Sequence, residues 1–173
     1  MSSVNEYGQP ISNDLSEWEA PPFSEKEIIE GQFCRLEPLD AVAHAAGLFG
    51  ANSIDVNDAS WTYLPYGPFG DFMEFEKWIE MVAVEVDPQF YAIIQKSTGL
   101  TVGILSYLRI EPHVGNIEVG HIHFSKFVRK TPAATEAIFL LMNRAFELGY
   151  RRFEWKCDAL NTPSCRAAER FGF

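Results

Sequence analysis

The residues best suited to chemistry in this chain gather around one strand-to-helix transition. The run Phe124-Ser125-Lys126-Phe127-Val128-Arg129-Lys130-Thr131-Pro132-Ala133-Ala134-Thr135-Glu136-Ala137 sets three cations just before a helix start and puts no acid in its first turn. The first N–H groups of a helix have no partner inside it, and the aligned peptide dipoles add positive potential there, so this start suits a pyrophosphate. The GxxxxGK[ST] pattern of a nucleoside-triphosphate loop is absent. Just upstream, Ile117 to Phe124 carries Glu118, His121 and His123. A His-x-His pair on one strand face can offer two imidazoles to a metal. No third ligand follows at a matching spacing, although Cys157 or Asp158 could come near through the neighbouring strand, so no metal is expected; the residues favour a buried, hydrogen-bonded pair, with His121 as an auxiliary proton relay the lesser alternative. Cys157 lacks the local signature of a hydrolase nucleophile.

Regular elements must hold these residues in place. Residues 1–30 contain Pro10, Pro21 and Pro22, show no helical or strand periodicity, and read as an extension that Trp18 and Phe23 would clip onto a neighbouring surface. Residues 31–173 read as the domain. A strand is expected over Gln32 to Leu36, closed by Pro38. Asp40 should cap a helix with Val42, Ala45 and Leu48 on its buried side. A second helix from Asp71 to about Val84 would bury Phe72, Phe75, Trp78, Ile79 and Val82. Between them Trp61 to Phe69 is too rich in Pro and Gly for a regular element.

Strands over Phe90 to Ile94 and Thr101 to Arg109 flank the turn Ser97-Thr98-Gly99. In the next strand, Ile117 to Phe124, strict alternation places Glu118, Gly120, Ile122 and Phe124 on one face and Val119, His121, His123 and Ser125 on the other. Thr131 should cap a long helix from Pro132 to Leu148, with Ile138, Leu141, Met142 and Ala145 inward and Gly149 as its stop. Arg152 to Cys157 reads as a strand, and Thr162-Pro163 repeats the Thr-Pro opening for a short helix ending at Gly172. This order predicts a mixed α/β (α+β) sheet flanked by helices. A chain ending at Phe173, directly after a helix stop, reads as C-terminally truncated.

Composition narrows the function classes. With 173 residues, 47% hydrophobic, the chain can bury a single core. A net charge of -10 argues against a nucleic-acid partner. The charge is uneven: residues 1–30 hold seven acids and one base, 31–125 twelve and four, and 126–173 five acids and nine bases, so the last third is the part that attracts anions. Cys34, Cys157 and Cys165 are too few and too scattered for a disulfide framework or a paired-CxxC zinc site, which fits a reducing, cytoplasmic setting. The N-terminus lacks a signal-peptide pattern and no apolar run nears the ~20 residues that cross a bilayer, so no membrane partner is expected.

Taken as an ordered set, Ile117-Glu118-Val119-Gly120-His121-Ile122-His123-Phe124, Arg129-Lys130-Thr131-Pro132-Ala133-Ala134-Thr135-Glu136-Ala137 and Asn161-Thr162-Pro163-Ser164 through Arg170-Phe171-Gly172-Phe173 resemble GNAT N-acetyltransferases, from about Gly31 to Phe173. The Asn-x-x-Ser spacing of Asn161 and Ser164 resembles the RimJ/RimL-like branch. The resemblance implies the acetyltransferase fold with its last strand pair missing from this chain. It also implies transfer of acetyl from acetyl-CoA to a primary amine of a protein N-terminus or small molecule by direct attack.

In that family a turn of the form Gln/Arg-x-x-Gly-x-Gly/Ala binds the coenzyme pyrophosphate through its N–H groups. Arg129 and Ala134 match, while Pro132 replaces the central Gly and removes one N–H. The resemblance therefore assigns coenzyme contacts to Arg129, Lys130, Thr131, Ala133 and Ala134, and thioester polarisation to the backbone of Val119, Gly120 and His121. Lysine amines have pKa ~10.4 and α-amines ~8, so attack at neutral pH needs a base. Glu118 stands where many members carry a catalytic carboxylate; an ordinary strand acid paired with Arg or Lys is the alternative.

The Tyr that serves much of the family as acid is replaced by Ala168. Asn161 is then expected to orient the coenzyme and Ser164 to bond its sulfur, or else Asn161 is only a turn residue and Ser164 only a first-turn residue. Trp61, Tyr63 and Tyr66 form the acceptor wall or seal a small core, with Asp55, Asp58 and Asp71 nearby to favour a cationic amine. A non-catalytic coenzyme A-binding or scaffold protein is the alternative function, and a homodimer is a permitted assembly.

Overall fold

A computed structural model describes residues 3–12, 14–55 and 57–173. Two short strands, β1 (Ser3–Val4) and β2 (Pro10–Ile11), pair with each other alone. The main sheet comprises β3 (Ile29–Glu30), β4 (Cys34–Pro38), β5 (Gln89–Gln95), β6 (Thr101–Glu111), β7 (Asn116–Phe124) and β8 (Arg152–Trp155), lying side by side in that order. Every neighbouring pair is antiparallel except β7 with β8, which is parallel. Helices α1 (Ala41–Asn52) and α2 (Phe72–Ala83) precede β5, α3 (Pro132–Glu147) crosses from β7 to β8, and α4 (Thr162–Phe171) follows. This is the expected mixed α/β architecture. Among the described residues no helix is long and apolar enough to cross a membrane.

The sheet separates two cores. On one side Leu36, Leu105, Tyr107, Ile117 and Val119 pack with Ile138, Leu141 and Ala145 of α3. On the other Leu48 of α1 and Phe75, Trp78 and Ile79 of α2 pack with Trp61, Phe90 and Ile104. The helix starts are set locally: Asp40, Asp71 and Thr131 accept the N–H groups of Ala43, Glu74 and Ala134, as N-cap residues do.

The buried side of α1 differs from expectation. Val42 is 96% exposed, and His44 sits inside with Ala45, Leu48 and Ala51. A histidine is tolerated there because both ring nitrogens are engaged: Nδ1 accepts the Asp40 N–H at 3.0 Å and Nε2 donates to Glu37 at 2.9 Å.

The strand expected from Gln32 also begins later. Gly31 N–H donates to Cys34 O in a turn, and the N–H groups of Gln32, Phe33 and Cys34 donate to the Glu136 carboxylate at 2.7, 2.7 and 2.8 Å. Helix α3 thereby holds the turn that joins β3 to β4. Residues 18–26 run along the domain. Tyr150 donates to Pro22 O, Gln89 to Ser24 O and Lys26 to Ala83 O, and the Arg151 guanidinium lies over Trp18.

Burial opposes ionisation of Glu136, but the backbone donors of Cys34, Gln32 and Phe33 outweigh it and hold its pKa below the ordinary value. A depressed carboxyl stabilises the fold above its unfolded pKa, and that stabilisation disappears as pH falls through the lowered value. Glu136→Gln is expected to cost about 2 kcal/mol at pH 7, a Tm drop of roughly 4–8 °C. Thermal unfolding of both proteins across pH checks this: the gap should shrink on acidification below the usual carboxylate range.

Candidate functional site

The site begins where two strands part. The parallel ladder of β7 and β8 runs from Asn116 opposite Arg152 to Val119 opposite Trp155 and stops. Strand β7 continues to Phe124, while β8 ends and the chain turns toward α4. From Gly120 onward the side of β7 that faced β8 is no longer paired with it.

The same point carries a β-bulge. The β6–β7 register steps from Ile104 opposite His123 to Ser106 opposite Gly120, so Leu105 faces both His121 and Ile122, and His121 adopts φ 51°. A bulge shifts the parity of every later side chain. Strict alternation therefore fails: Ile117, Val119, Ile122 and Phe124 all pack on the α3 side. The His121 ring lies 5.5 Å from Tyr66 and 5.0 Å from Phe90, and the His123 ring stacks 3.8 Å over Trp61, all on the opposite side.

Burial, aided by Arg109, lowers the pKa of His121, which keeps its imidazole neutral and able to accept a proton. His123 is bonded to Ser60 Oγ at 3.0 Å and its pKa is pushed down to about 4 by burial and by Arg129, against the attraction of Asp55. A histidine held neutral stabilises the fold above its unfolded pKa, ~6.5, and this is lost as pH falls through the folded value. About 2 kcal/mol should be lost between pH 7 and pH 5 from this group. Chemical denaturation at the two pH values checks it, and His123→Phe should remove that part of the slope.

Glu118 is 2% exposed. Its Oε1 pairs with Arg109 Nη1 and its Oε2 with Lys156 Nζ, each at 2.6 Å, and Lys156 also reaches Glu154 at 2.5 Å. Arg109 holds φ 46° beside a second irregularity in the β6–β7 pairing, between Leu108 and Glu111. Neither cation stood out in the sequence. Only the β7–β8 register, which sets Glu118 beside Glu154 and so near Lys156, could have pointed to one of them.

At the start of α3 the expected anion cradle is partly occupied. Thr131 N–H donates to Val128 O, and Ala134 N–H donates to the Thr131 carbonyl and hydroxyl. The N–H groups of Lys130 and Ala133 have no acceptor among the described residues. Arg129 braces the turn: its Nε donates to Phe124 O at 2.7 Å and its Nη2 lies 3.3 Å from Asp55. Lys130 is exposed and left-handed, with φ 61°. A cleft of about 520 Å³ lies alongside, lined by Gln32, Phe33, Lys96, Thr131, Pro132 and Ala133 among others.

At α4 the cap is Asn161, one residue before the expected Thr162; its Oδ1 accepts Ser164 N–H at 3.2 Å. Ser164 Oγ accepts from Trp155 Nε1 at 3.0 Å, so Ser164 joins the end of β8 to α4 while Asn161 caps the helix. The three aromatic wall candidates separate. Trp61 is core, 6% exposed. Tyr63 donates to Leu160 O at 3.1 Å, linking the aromatic loop to the loop after β8. The Tyr66 ring packs against Trp78 at 4.4 Å and its buried hydroxyl has no partner among the described residues. Among the described residues no three His, Cys, Asp or Glu side chains gather as a metal site would require.

The sequence matches the acetyltransferase (GNAT) domain family over residues 35–173. A GCN5-related N-acetyltransferase from Brucella melitensis is similar at 44% identity and TM-score 0.89, covering 92% of this chain and 72% of that one. A GNAT-family protein from Chromobacterium violaceum is 41% identical with TM-score 0.85, covering 95% and 82%. An acetyltransferase from Salmonella typhimurium that modifies the N-terminal serine of a 50S ribosomal subunit protein shares the fold at 21% identity and TM-score 0.69, covering 85% and 84%. No curated protein matches the sequence.

Proposed function

Because the chain belongs to the GNAT acetyltransferase family, we propose that it moves acetyl from acetyl-CoA to a primary amine, within a domain over residues 31–173 preceded by an extension over 1–30. The observation that carries this reading is the parting of β7 and β8 at Val119 and Trp155, beside the bulge at His121. It leaves backbone edge at Gly120 and His121 for a thioester oxygen, and it lies on the side of the sheet where His121 and Tyr66 meet.

Bound coenzyme would supply the activated acetyl group. The residues present fit it: the N–H groups of Lys130 and Ala133 stand at a helix start and, like the Tyr66 hydroxyl, have no partner among the described residues, so each can donate to the coenzyme. Arg129, Thr131 and Ala134 shape that turn through the bonds they already make. Glu118 is assigned to take the amine proton, with neutral His121 on the route. Asn161 and Ser164 position the α4 start beside the coenzyme, and Tyr63 and Tyr66 border the acceptor, with Trp61 behind them.

The Asn161-to-Ser164 spacing favours the RimJ/RimL-like branch and an acceptor that is a protein N-terminus, in the cytoplasm; a small amine is the other acceptor class. Isothermal titration with acetyl-CoA tests the reading, and its absence from a folded sample would overturn it. Lys130→Asn, which keeps a residue tolerant of left-handed backbone, should weaken binding about fivefold, the worth of ~1 kcal/mol. A second reading, coenzyme binding without turnover, is favoured by the two ion pairs on Glu118 and by Ala168. Mass spectrometry of an N-terminal serine peptide and a polyamine after incubation with acetyl-CoA separates the two.

A further inference from the structure

Two of the three cysteines meet where β8 gives way to α4. Cys157 Sγ lies 3.7 Å from Cys165 Sγ. Cys157 is exposed and Cys165 half-buried, whereas Cys34 is buried and its thiol is pushed up to about 12 by burial and by Glu136. We propose that Cys157 and Cys165 are a redox modification site, forming a reversible disulfide that fastens the loop 158–164 and the start of α4 to the end of β8.

The geometry needs little movement. A disulfide has its sulfurs at about 2.05 Å, so closure brings them together by roughly 1.7 Å, within the reach of a side-chain rotation and a small helix shift. Helix α4 has no fully buried residue and can make such a shift. Its start is held mainly by the Trp155–Ser164 bond and the Asn161 cap. The Cys165 thiol also points toward the Asp158 and Ala159 carbonyls at 3.8 and 3.9 Å, so its resting contacts are weak ones that oxidation can replace. Cys157 is the more exposed of the two thiols, so a peroxide reaches it first.

A hydroperoxide supplies the oxidant. The Cys157 thiolate attacks one peroxide oxygen and breaks the O–O bond; with hydrogen peroxide this yields a sulfenic acid and water. The Cys165 thiolate then attacks that sulfur, the S–S bond forms, and the sulfenic oxygen leaves as a second water. Two thiols are oxidised by two electrons and one peroxide is reduced. An external dithiol reverses the step by exchange. The fastened loop includes Leu160, whose carbonyl holds Tyr63, so the modification fixes the link between the aromatic loop and α4.

The test uses the reduced full chain and stoichiometric hydrogen peroxide. Intact mass should fall by two hydrogens, two of three thiols should resist alkylation, and peptide mapping should join Cys157 to Cys165, all reversed by dithiothreitol. Cys165→Ser should show no such loss and should instead leave Cys157 trapped by dimedone. Hydrogen exchange over residues 158–164 should slow about tenfold in the oxidised wild type only. Free thiols, or independent oxidation of both to sulfinic acids, would overturn the proposal; a cross-link with unchanged exchange would overturn the fastening. Any effect on acetyl transfer rests on the function proposed above. If the reduced protein fails to bind acetyl-CoA, that function falls while the cross-link is still decided by mass.

Discussion

Glu118→Gln is expected to lower kcat/KM for amine acetylation by about 10²–10³ while leaving the Kd for acetyl-CoA nearly unchanged, the signature of a lost general base. Glutamine keeps the size and one acceptor oxygen but cannot take a proton. Glu118 is buried at the end of the paired part of β7, on the side opposite Val119, and its two oxygens are held by cations that are themselves 54% exposed. Those cations can resolvate in the variant, so the stability cost should stay at about 1 kcal/mol and the protein should fold.

The effect should be larger for a lysine acceptor than for an α-amine, because the ammonium of the former, with pKa ~10.4 against ~8, holds its proton more tightly. An unchanged rate with a small Tm shift would make Glu118 only the anchor of Arg109 and Lys156, and would favour the binding protein without turnover.

Trp61→Ala is expected to lose about 3–5 kcal/mol, a Tm drop of roughly 6–20 °C, with no ligand present. Its indole stacks 3.8 Å from His123, meets Phe69 edge-on at 5.5 Å and Tyr66 at 6.2 Å, and closes the core shared by α1 and α2. It also shapes the loop. Gly67 sits at φ 70°, where an added Cβ would lie 2.7 Å from the indole, so no larger residue fits at 67. Trp61→Phe should recover part of the loss. Tyr63→Phe, which removes only the hydroxyl donated to Leu160, should move Tm little. If Trp61→Ala folded normally and lost only acceptor binding, the indole would be wall and not core.

Glu136 and His123 give the protein two separate acid-sensitive contacts. One fails as its carboxylate is protonated and releases the turn before β4; the other fails as a buried ring takes up a proton beneath Trp61. Both slopes have the same sign, so acid unfolding should be steeper in the wild type than in either variant.

What the sequence by itself determined was local. Asp40, Asp71 and Thr131 announced helix starts because a cap bond spans three residues, and the hairpin across Ser97-Thr98-Gly99 needed only its turn. The order of elements was enough for the mixed sheet, and the ordered motifs for the family. The tertiary structure decided whatever depends on register. One unpaired residue at the bulge moved His121 and His123 to the other side of β7, which no pattern of eight residues discloses. Val42 lost the core to His44 because Glu37 and the Asp40 backbone satisfy the ring, and Asn161 became the cap where Thr162 was expected. The pairing of Glu118 with Arg109 and Lys156, and the meeting of Cys157 with Cys165, join residues 8 to 38 apart. Such contacts exist only after strands are laid side by side and helices packed on them, because propensity acts over a few residues whereas register and packing are settled by the whole sheet.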